Sequence, residues 1–406
     1  MSVEWDGAPS RRRFLALGAE AALGLAAPAI IGASEASAAA LRANRTPQIL
    51  NAPNLAWGQQ GMRCVAGVRP GRTGGLKIGP DMSLSRNGQS VFHNYGHGGG
   101  GITLSLGCAM QVGDDVAKNI LARGANASLP TVAVIGSGVA GLTVARELKN
   151  RWPQIKIRIL TKSQNVSDCT SNLAGGQFAP SGIFNEYDRA GTMSTLLPLM
   201  QKSRARLKEF FDRGTNNAYG IRERYNYSAK ELPDFKAFQP AVYAPPLKGT
   251  LPFRGGLGAV AGYEYGTWLI EPPIFLEAVR RELVGKGVMF RWGYTVGNLS
   301  ALQALPERIV VNCTGLGARD LVSDRSMHPI KGHLVILPNS SNLKYFFSGC
   351  IDGANASYFF GRTNDMVVGG TYFVDNDSTN VDPATCRAIL MRMKAVFDGD
   401  VSTCLA

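Results

Sequence analysis

Thr131-Val132-Ala133-Val134-Ile135-Gly136-Ser137-Gly138-Val139-Ala140-Gly141 is the stretch that decides the fold. The run up to Ile135 is short, apolar and rich in β-branched residues, which predicts a strand. Glycines then follow in the G-x-G-x-x-G spacing. Gly136 lets the chain turn sharply, Gly138 lets backbone approach a pyrophosphate, and Gly141 lets the next helix close against the strand. Leu142, Ala145 and Leu148 form an apolar stripe, so a helix is expected from Leu142 to about Asn150. Lys156-Ile157-Arg158-Ile159-Leu160 reads as a second strand and completes a βαβ unit. The turn residues Ser137, Val139 and Ala140 would present backbone N–H groups to phosphates at the helix N-terminus. An acid usually ends the second strand and binds a ribose hydroxyl. Here that place holds Thr161-Lys162-Ser163. Lys162 cannot accept a hydrogen bond, so Thr161, Ser163 or a backbone group would have to substitute.

Around this unit, the chain of 406 residues is 45% hydrophobic and 18% charged, with 48 Gly and 21 Pro, which excludes disorder, collagen and coiled coil. The length suits two or three domains. Ser10-Arg11-Arg12-Arg13-Phe14-Leu15, the mildly apolar run Ala16–Ala33 and Ala36-Ser37-Ala38 have the charged start, apolar middle and small-x-small end of a cleavable export signal of the twin-arginine kind. The expectation is an exported protein, periplasmic or extracellular, with no stable membrane insertion after residues 1–38 are removed. The formal charge is +13, and loss of the leader would leave about +14, so the basic character belongs to the mature part. No aromatic-basic interleaving or recognition module accompanies it, so no nucleic-acid partner is expected. Seven Cys (64, 108, 169, 313, 350, 386, 404) lack C-x-x-C spacing, and most read as small buried apolar residues. The four His form no metal spacing, so no metal is expected.

Four further stretches carry a resemblance: Thr170-Ser171-Asn172-Leu173-Ala174-Gly175-Gly176, Gly266-Thr267-Trp268-Leu269-Ile270-Glu271-Pro272-Pro273-Ile274-Phe275-Leu276, Ile309-Val310-Val311-Asn312-Cys313-Thr314-Gly315 and Met366-Val367-Val368-Gly369-Gly370-Thr371-Tyr372-Phe373. With the glycine turn they resemble, in order, the FAD-dependent D-amino-acid oxidase and D-aspartate oxidase family. That family continues into a carboxylate-binding arginine, a glycine-rich flavin loop and a last helix. This chain resembles those segments at its other end, in Ala66-Gly67-Val68-Arg69-Pro70-Gly71-Arg72-Thr73 and His93-Asn94-Tyr95-Gly96-His97-Gly98-Gly99-Gly100-Gly101-Ile102-Thr103, followed by a helix from Ala109 to Ala122. The order is that of a circular permutant, joined through Gly124–Leu129.

The resemblance implies an α/β fold: a doubly wound, Rossmann-like FAD-binding domain plus a substrate domain with a mostly antiparallel sheet. Residues 39–125 would form the permuted segment, 126–185 the FAD-binding core, 186–305 mainly the substrate domain, 306–335 a strand and loop of the FAD domain, and 336–406 substrate-domain strands. It implies oxidation of a D-amino acid to a 2-oxo acid, ammonia and hydrogen peroxide, by hydride transfer to the flavin and reoxidation by molecular oxygen. Arg72 is expected to grip the substrate carboxylate, Tyr358 to orient it, and the Gly99 carbonyl to accept from the amine, with Arg69 structural or on the flavin side. Gly98, Gly99, Gly100, Gly101, Ile102 and Thr103 would line the flavin, Thr103 on its pyrimidine edge. Thr170, Ser171, Gly175, Gly176 and Gln177 would add contacts. Ala354 stands where the family has a second lid tyrosine, in a shortened lid, and Ala179 where a glutamine is usual. Rival readings are another amine or glycine oxidoreductase using a quinone, or a flavin-binding protein without turnover. A homodimer is compatible with each.

Overall fold

The computed structural model describes residues 48–86, 88–124 and 128–405. The expected leader, residues 1–38, and part of the Gly124–Leu129 linker lie outside the described residues. Three strands come first, β1 (Arg63–Arg72), β2 (Lys77–Arg86) and β3 (Gln89–Tyr95), then the helix α1 (Gly101–Ala122). The glycine fingerprint follows as β4 (Val132–Ile135), α2 (Val139–Arg151) and β5 (Ile157–Leu160). Next come α3 (Leu197–Asp212), β6 (Ile221–Ser228), β7 (Leu247–Thr250), β8 (Ala261–Ile270), α4 (Pro272–Gly285), β9 (Met289–Arg291) and β10 (Ile309–Asn312). The chain closes with β11 (Met327–Pro338), β12 (Tyr345–Asp352), β13 (Asn355–Gly361), β14 (Asp365–Thr371), β15 (Phe373–Val374) and α5 (Pro383–Phe397). Shorter helical turns join these elements.

Two sheets organise the molecule. The six-stranded sheet runs β2-β3-β10-β4-β5-β9; β3, β10, β4, β5 and β9 are parallel and β2 is an antiparallel edge. All four β4 residues are buried because the strand is flanked by β10 and β5 and covered on both faces, which is why its sequence is continuously apolar. Helices α1 and α2 pack together on one face and carry Leu104, Val112, Leu142 and Leu148 into the core beneath. The larger sheet runs β1-β11-β14-β13-β12-β6-β8-β7, with β15 also on β11. It is antiparallel apart from the β12–β6 pair. This is the expected α/β class with two mixed sheets, but the expected segment 306–335 divides: β10 joins the six-stranded sheet, and from Met327 the chain is already in the larger one.

The larger sheet has two unlike faces, as the period of two demands. On β13, Phe359 points to a core shared with Val335, Val368 and the α5 residues Ile389, Met393 and Phe397. Its neighbours Tyr358 and Phe360 point the other way, with Val65, Leu334, Val367 and Leu269. Helix α5 seals the Phe359 face, while the Tyr358 face is turned toward the glycine loops of the six-stranded sheet. Each of the first three strands among the described residues is paired with a partner far along the sequence or with its own neighbour: β1 with β11, β3 with β10, and β2 with β3.

Candidate active site

Two helix N-termini without side-chain caps lie side by side beyond the C-terminal ends of β3 and β4, the strands that flank β10. Gly138 is the N-cap of α2 and Gly100 that of α1, and neither has a side-chain cap. A Cβ on Gly101 would lie 3.6 Å from Val139 Cγ1, so the two ends share one space. Helix N-termini expose N–H groups and a positive dipole end, which suits a pyrophosphate. Gly136 sits at φ +110°, and an added Cβ would meet the Cys313 carbonyl oxygen at 2.5 Å, so only glycine makes this turn. The Val139 N–H donates to Ser171 Oγ at 3.1 Å, which docks the Thr170–Leu173 turn beside the fingerprint. Thr161 and Ser137 bond each other through their hydroxyls at 2.9 Å, both buried, while Lys162 is exposed at the end of β5.

The glycine loop after β3 is shorter than expected, because α1 begins at Gly101 rather than Ala109. Gly101, Ile102 and Thr103 are its first turn. The Thr103 hydroxyl donates to the Ala179 carbonyl at 2.6 Å and accepts from the Ala179 N–H at 3.0 Å. The hydroxyl thus fastens the chain that carries Gln177, Phe178 and Ala179. Gln177 pairs with Leu269 as an isolated bridge, and its buried Nε2 has no partner. Gly176 needs φ +96°, and a Cβ on Gly175 would strike the Phe360 ring. An unpartnered buried amide, glycine approaches and uncapped helix ends are the chemistry a flavin dinucleotide requires, so the residues present fit FAD.

Arg69 is the arginine that meets Tyr358. Tyr358 and Arg69 are hydrogen-bonded side chain to side chain. Arg69 Nη1 also donates to the Thr371 carbonyl at 3.2 Å, and its guanidinium lies 5.4 Å over the Tyr372 ring. Space for it comes from Gly332, where a Cβ would collide with the guanidinium, and from Gly99, where a Cβ would come 3.2 Å from Arg69 Cδ. The Gly98 N–H donates to the Pro70 carbonyl at 2.9 Å, holding the flavin loop against β1. Arg69, Tyr358, Tyr372 and Gly99 thus converge. Burial pushes the Tyr358 phenol above its usual range, against the opposing pull of Arg69, and does the same to Tyr372. Both remain protonated donors at neutral pH.

Arg72 is elsewhere, which corrects its expected role. Its Nε bonds Asp324 Oδ2 at 2.9 Å and its Nη1 the Gly75 carbonyl at 3.0 Å. Tyr95 Oη donates to the same Asp324 oxygen at 2.9 Å. Burial would raise the Asp324 pKa, but the bonds from Arg72 and Tyr95 outweigh it and hold the carboxyl below its ordinary range. Arg72 is a strut between β1, β3 and the loop before β11. Sequence reading missed Thr371, Tyr372 and Gly332 as neighbours of the guanidinium; Gly370-Thr371-Tyr372 was a signal within a stretch already singled out. Ala354 lies at the tight turn between β12 and β13, which form a short hairpin. Among the described residues no cluster of His, Cys, Asp or Glu could hold a metal ion, and no helix is long and apolar enough to cross a membrane.

Residues 131–405 match the family model described as FAD dependent oxidoreductase. A D-amino-acid oxidase of Streptomyces coelicolor is 29% identical over 272 residues, covering 65% of this chain and 77% of that protein. A D-aspartate oxidase of Homo sapiens is 25% identical over 281 residues, covering 65% and 75%. Among solved structures, glycine oxidase from Geobacillus kaustophilus superposes with a TM-score of 0.51 at 18% identity, covering 66% of this chain and 78% of that one, a likeness of fold.

Proposed function

The chain belongs to the FAD dependent oxidoreductase family, and from that premise we propose that it oxidises a D-amino acid to the imino acid, which water converts to a 2-oxo acid and ammonia, with oxygen reduced to hydrogen peroxide. The observation that carries this reading is the convergence of Arg69, Tyr358 and Gly99 on one space beside the glycine loops. FAD, when bound, supplies the acceptor for the hydride leaving Cα. Gly136, Ser137, Gly138, Val139, Ala140 and Gly141 would hold its pyrophosphate, and Gly98–Ile102 with Ser171, Gly175, Gly176 and Gln177 the rest.

The protein's own groups do the positioning. A guanidinium has five N–H donors; Thr371 and Tyr358 occupy two, leaving a fork for two parallel bonds to a carboxylate. The neutral Tyr358 phenol can turn its proton to the same carboxylate. With the carboxylate fixed, the α-amine is placed to donate to the Gly99 carbonyl, and Cα–H is fixed by what remains of the tetrahedron. Orientation of this kind replaces any need for an enzymatic nucleophile. The relatives named D-amino-acid oxidase and D-aspartate oxidase support this substrate class.

Two further parts of the reading rest on other observations. The family match begins at 131, while β1, β3 and α1 upstream complete both sheets and supply Arg69 and Gly99. This supports a circular permutation in which the family's closing segments have moved to the front. The leader sequence and the Cys350–Cys404 disulfide support export to an oxidising compartment. The test is anaerobic mixing of the flavin-loaded protein with a panel of D- and L-amino acids. Bleaching of the flavin band by D-amino acids alone is the expected result, and no bleaching by any of them overturns the assignment.

A further inference from the structure

The chain holds five free cysteines beside the one disulfide. Cys108 and Cys313 are buried in the six-stranded half, and Cys169 lies against the Ser137 and Ser163 hydroxyls. Cys64 and Cys386 are different, because each is the other's neighbour. Cys64 stands on β1 opposite Val335, pointing to the face covered by α5, and is half-buried at the edge of the sheet. Cys386 is in the first turn of α5, fully buried in the same core, and its thiol is in side-chain hydrogen-bond contact with that of Cys64. Thiol packed on thiol needs little rearrangement to become a covalent bond, since rotation about Cα–Cβ is the soft coordinate.

We propose that Cys64 and Cys386 are a second, latent disulfide, closed by a peroxide or by a small-molecule disulfide, which locks β1 onto α5. With a peroxide, the half-exposed Cys64 sulfur attacks, the O–O bond breaks, one water leaves and a sulfenic acid forms. The Cys386 sulfur then displaces the remaining oxygen as water. One S–S bond replaces two S–H bonds, and the two electrons reside in the two waters. Burial pushes the Cys386 thiol up to about 12, which makes it the resolving partner rather than the first to react. The consequence is mechanical: β1 carries Arg69 on its opposite face, so the bond ties the strand that holds the proposed anchor to the helix that closes the sheet. The inference stands on the packing of the two thiols and goes beyond the assigned reaction; it holds whether or not a D-amino acid is the substrate.

The experiment is thiol counting and peptide mapping of the flavin-loaded protein, before and after treatment with hydrogen peroxide or oxidised glutathione, without any amino acid present. Treatment should lower the titratable thiols from the five free cysteines by two and yield a peptide pair, joined through Cys64 and Cys386, that separates on reduction. In Cys64→Ser, which should keep its flavin, Cys386 should remain a free thiol after the same treatment. The oxidised wild type should melt higher than oxidised Cys64→Ser by roughly 5 °C, the scale of closing so long a loop. Five thiols still titrating after treatment, or Cys64 found as a sulfinic acid or joined to another partner, would overturn the proposal. Flavin bleaching by amino acids is a separate readout, so failure of one assignment is distinguishable from failure of the other.

Discussion

Replacing Arg69 and Arg72 in turn separates two arginines that stand three residues apart in one strand. In the proposed reaction Arg69 makes two charge-assisted bonds to the carboxylate, each worth about 1.5–3 kcal/mol. Arg69→Ala should therefore cost about 3–6 kcal/mol, roughly 10²- to 10⁴-fold in kcat/KM. Arg69→Lys keeps the charge but loses the fork and should fall between. Arg72→Ala removes the partner of Asp324, whose side chain is 9% exposed, and should cost about 1–3 kcal/mol of stability from that stranded carboxylate. Its kcat/KM per bound flavin should stay within about tenfold of wild type, since the Arg72 guanidinium faces Asp324 and Gly75 rather than Tyr358. The assay is oxygen uptake on a reactive D-amino acid, normalised to flavin absorbance, with thermal melting on the same samples. If Arg72→Ala loses more activity per flavin than Arg69→Ala, the geometry has been misread and the carboxylate sits at Arg72.

Further expectations follow from the same structure. Gly136→Ala should lose flavin, because the strand-end carbonyl of Cys313 cannot move away from a Cβ; the ratio of flavin to protein absorbance reads this directly. Gly369→Ala should push the Tyr358 ring aside and raise KM for substrate while flavin content holds, which steady-state kinetics will register. His97 is buried with an unpartnered Nε2, and burial lowers its pKa from 6.5 to about 4. The unfolded chain binds that proton more tightly, so stability is full above pH 6.5 and falls by roughly 3 kcal/mol as pH drops from there to 4. A melting-temperature profile should flatten across that window in His97→Leu, with His93, also lowered by burial, leaving a residual slope. Finally, a gene rearranged to begin near Thr131 and to carry residues 48–124 after 405 should give a protein that binds flavin; failure of that rearranged chain to fold would count against permutation.

The βαβ unit was legible because every signal in it is local: the apolar run, three glycines and an amphipathic stripe fall within about thirty residues, as a βαβ unit requires, and the structure differs only by a few residues at the ends. The arginines were not. Arg69 and Arg72 are separated by an odd number, so a strand must send them to opposite faces. Which face carries the site is decided by β11 and β14, roughly 260 to 300 residues further on, and no local pattern records that. Thr103 followed a similar course. The resemblance put it on the flavin's pyrimidine edge, and no local pattern told that α1 starts at Gly101 and ties the hydroxyl to the Ala179 backbone, 76 residues away. The Cys350–Cys404 pairing had no motif to announce it, since pairing depends on where β12 and the last turn Ser402–Leu405 come to lie.

The pairing of β1 with β11, and of β3 with β10, also sets a timetable. A ribosome adds about 5–20 residues per second, so the segment that carries Arg69 and the glycine loop waits roughly 10–50 s before its strand partners exist. During that wait β1 and the β10-facing edge of β3 lack their partners, while β2 pairs with β3 and α1 can already lean on α2 and α3. β10 and β11 arrive close together, so both early strands find their partners late, and β12–β15 and α5 still follow them. Long-range pairing of that kind folds slowly, and Arg69 cannot meet Tyr358 and Thr371 until β13 and β14 have followed β11.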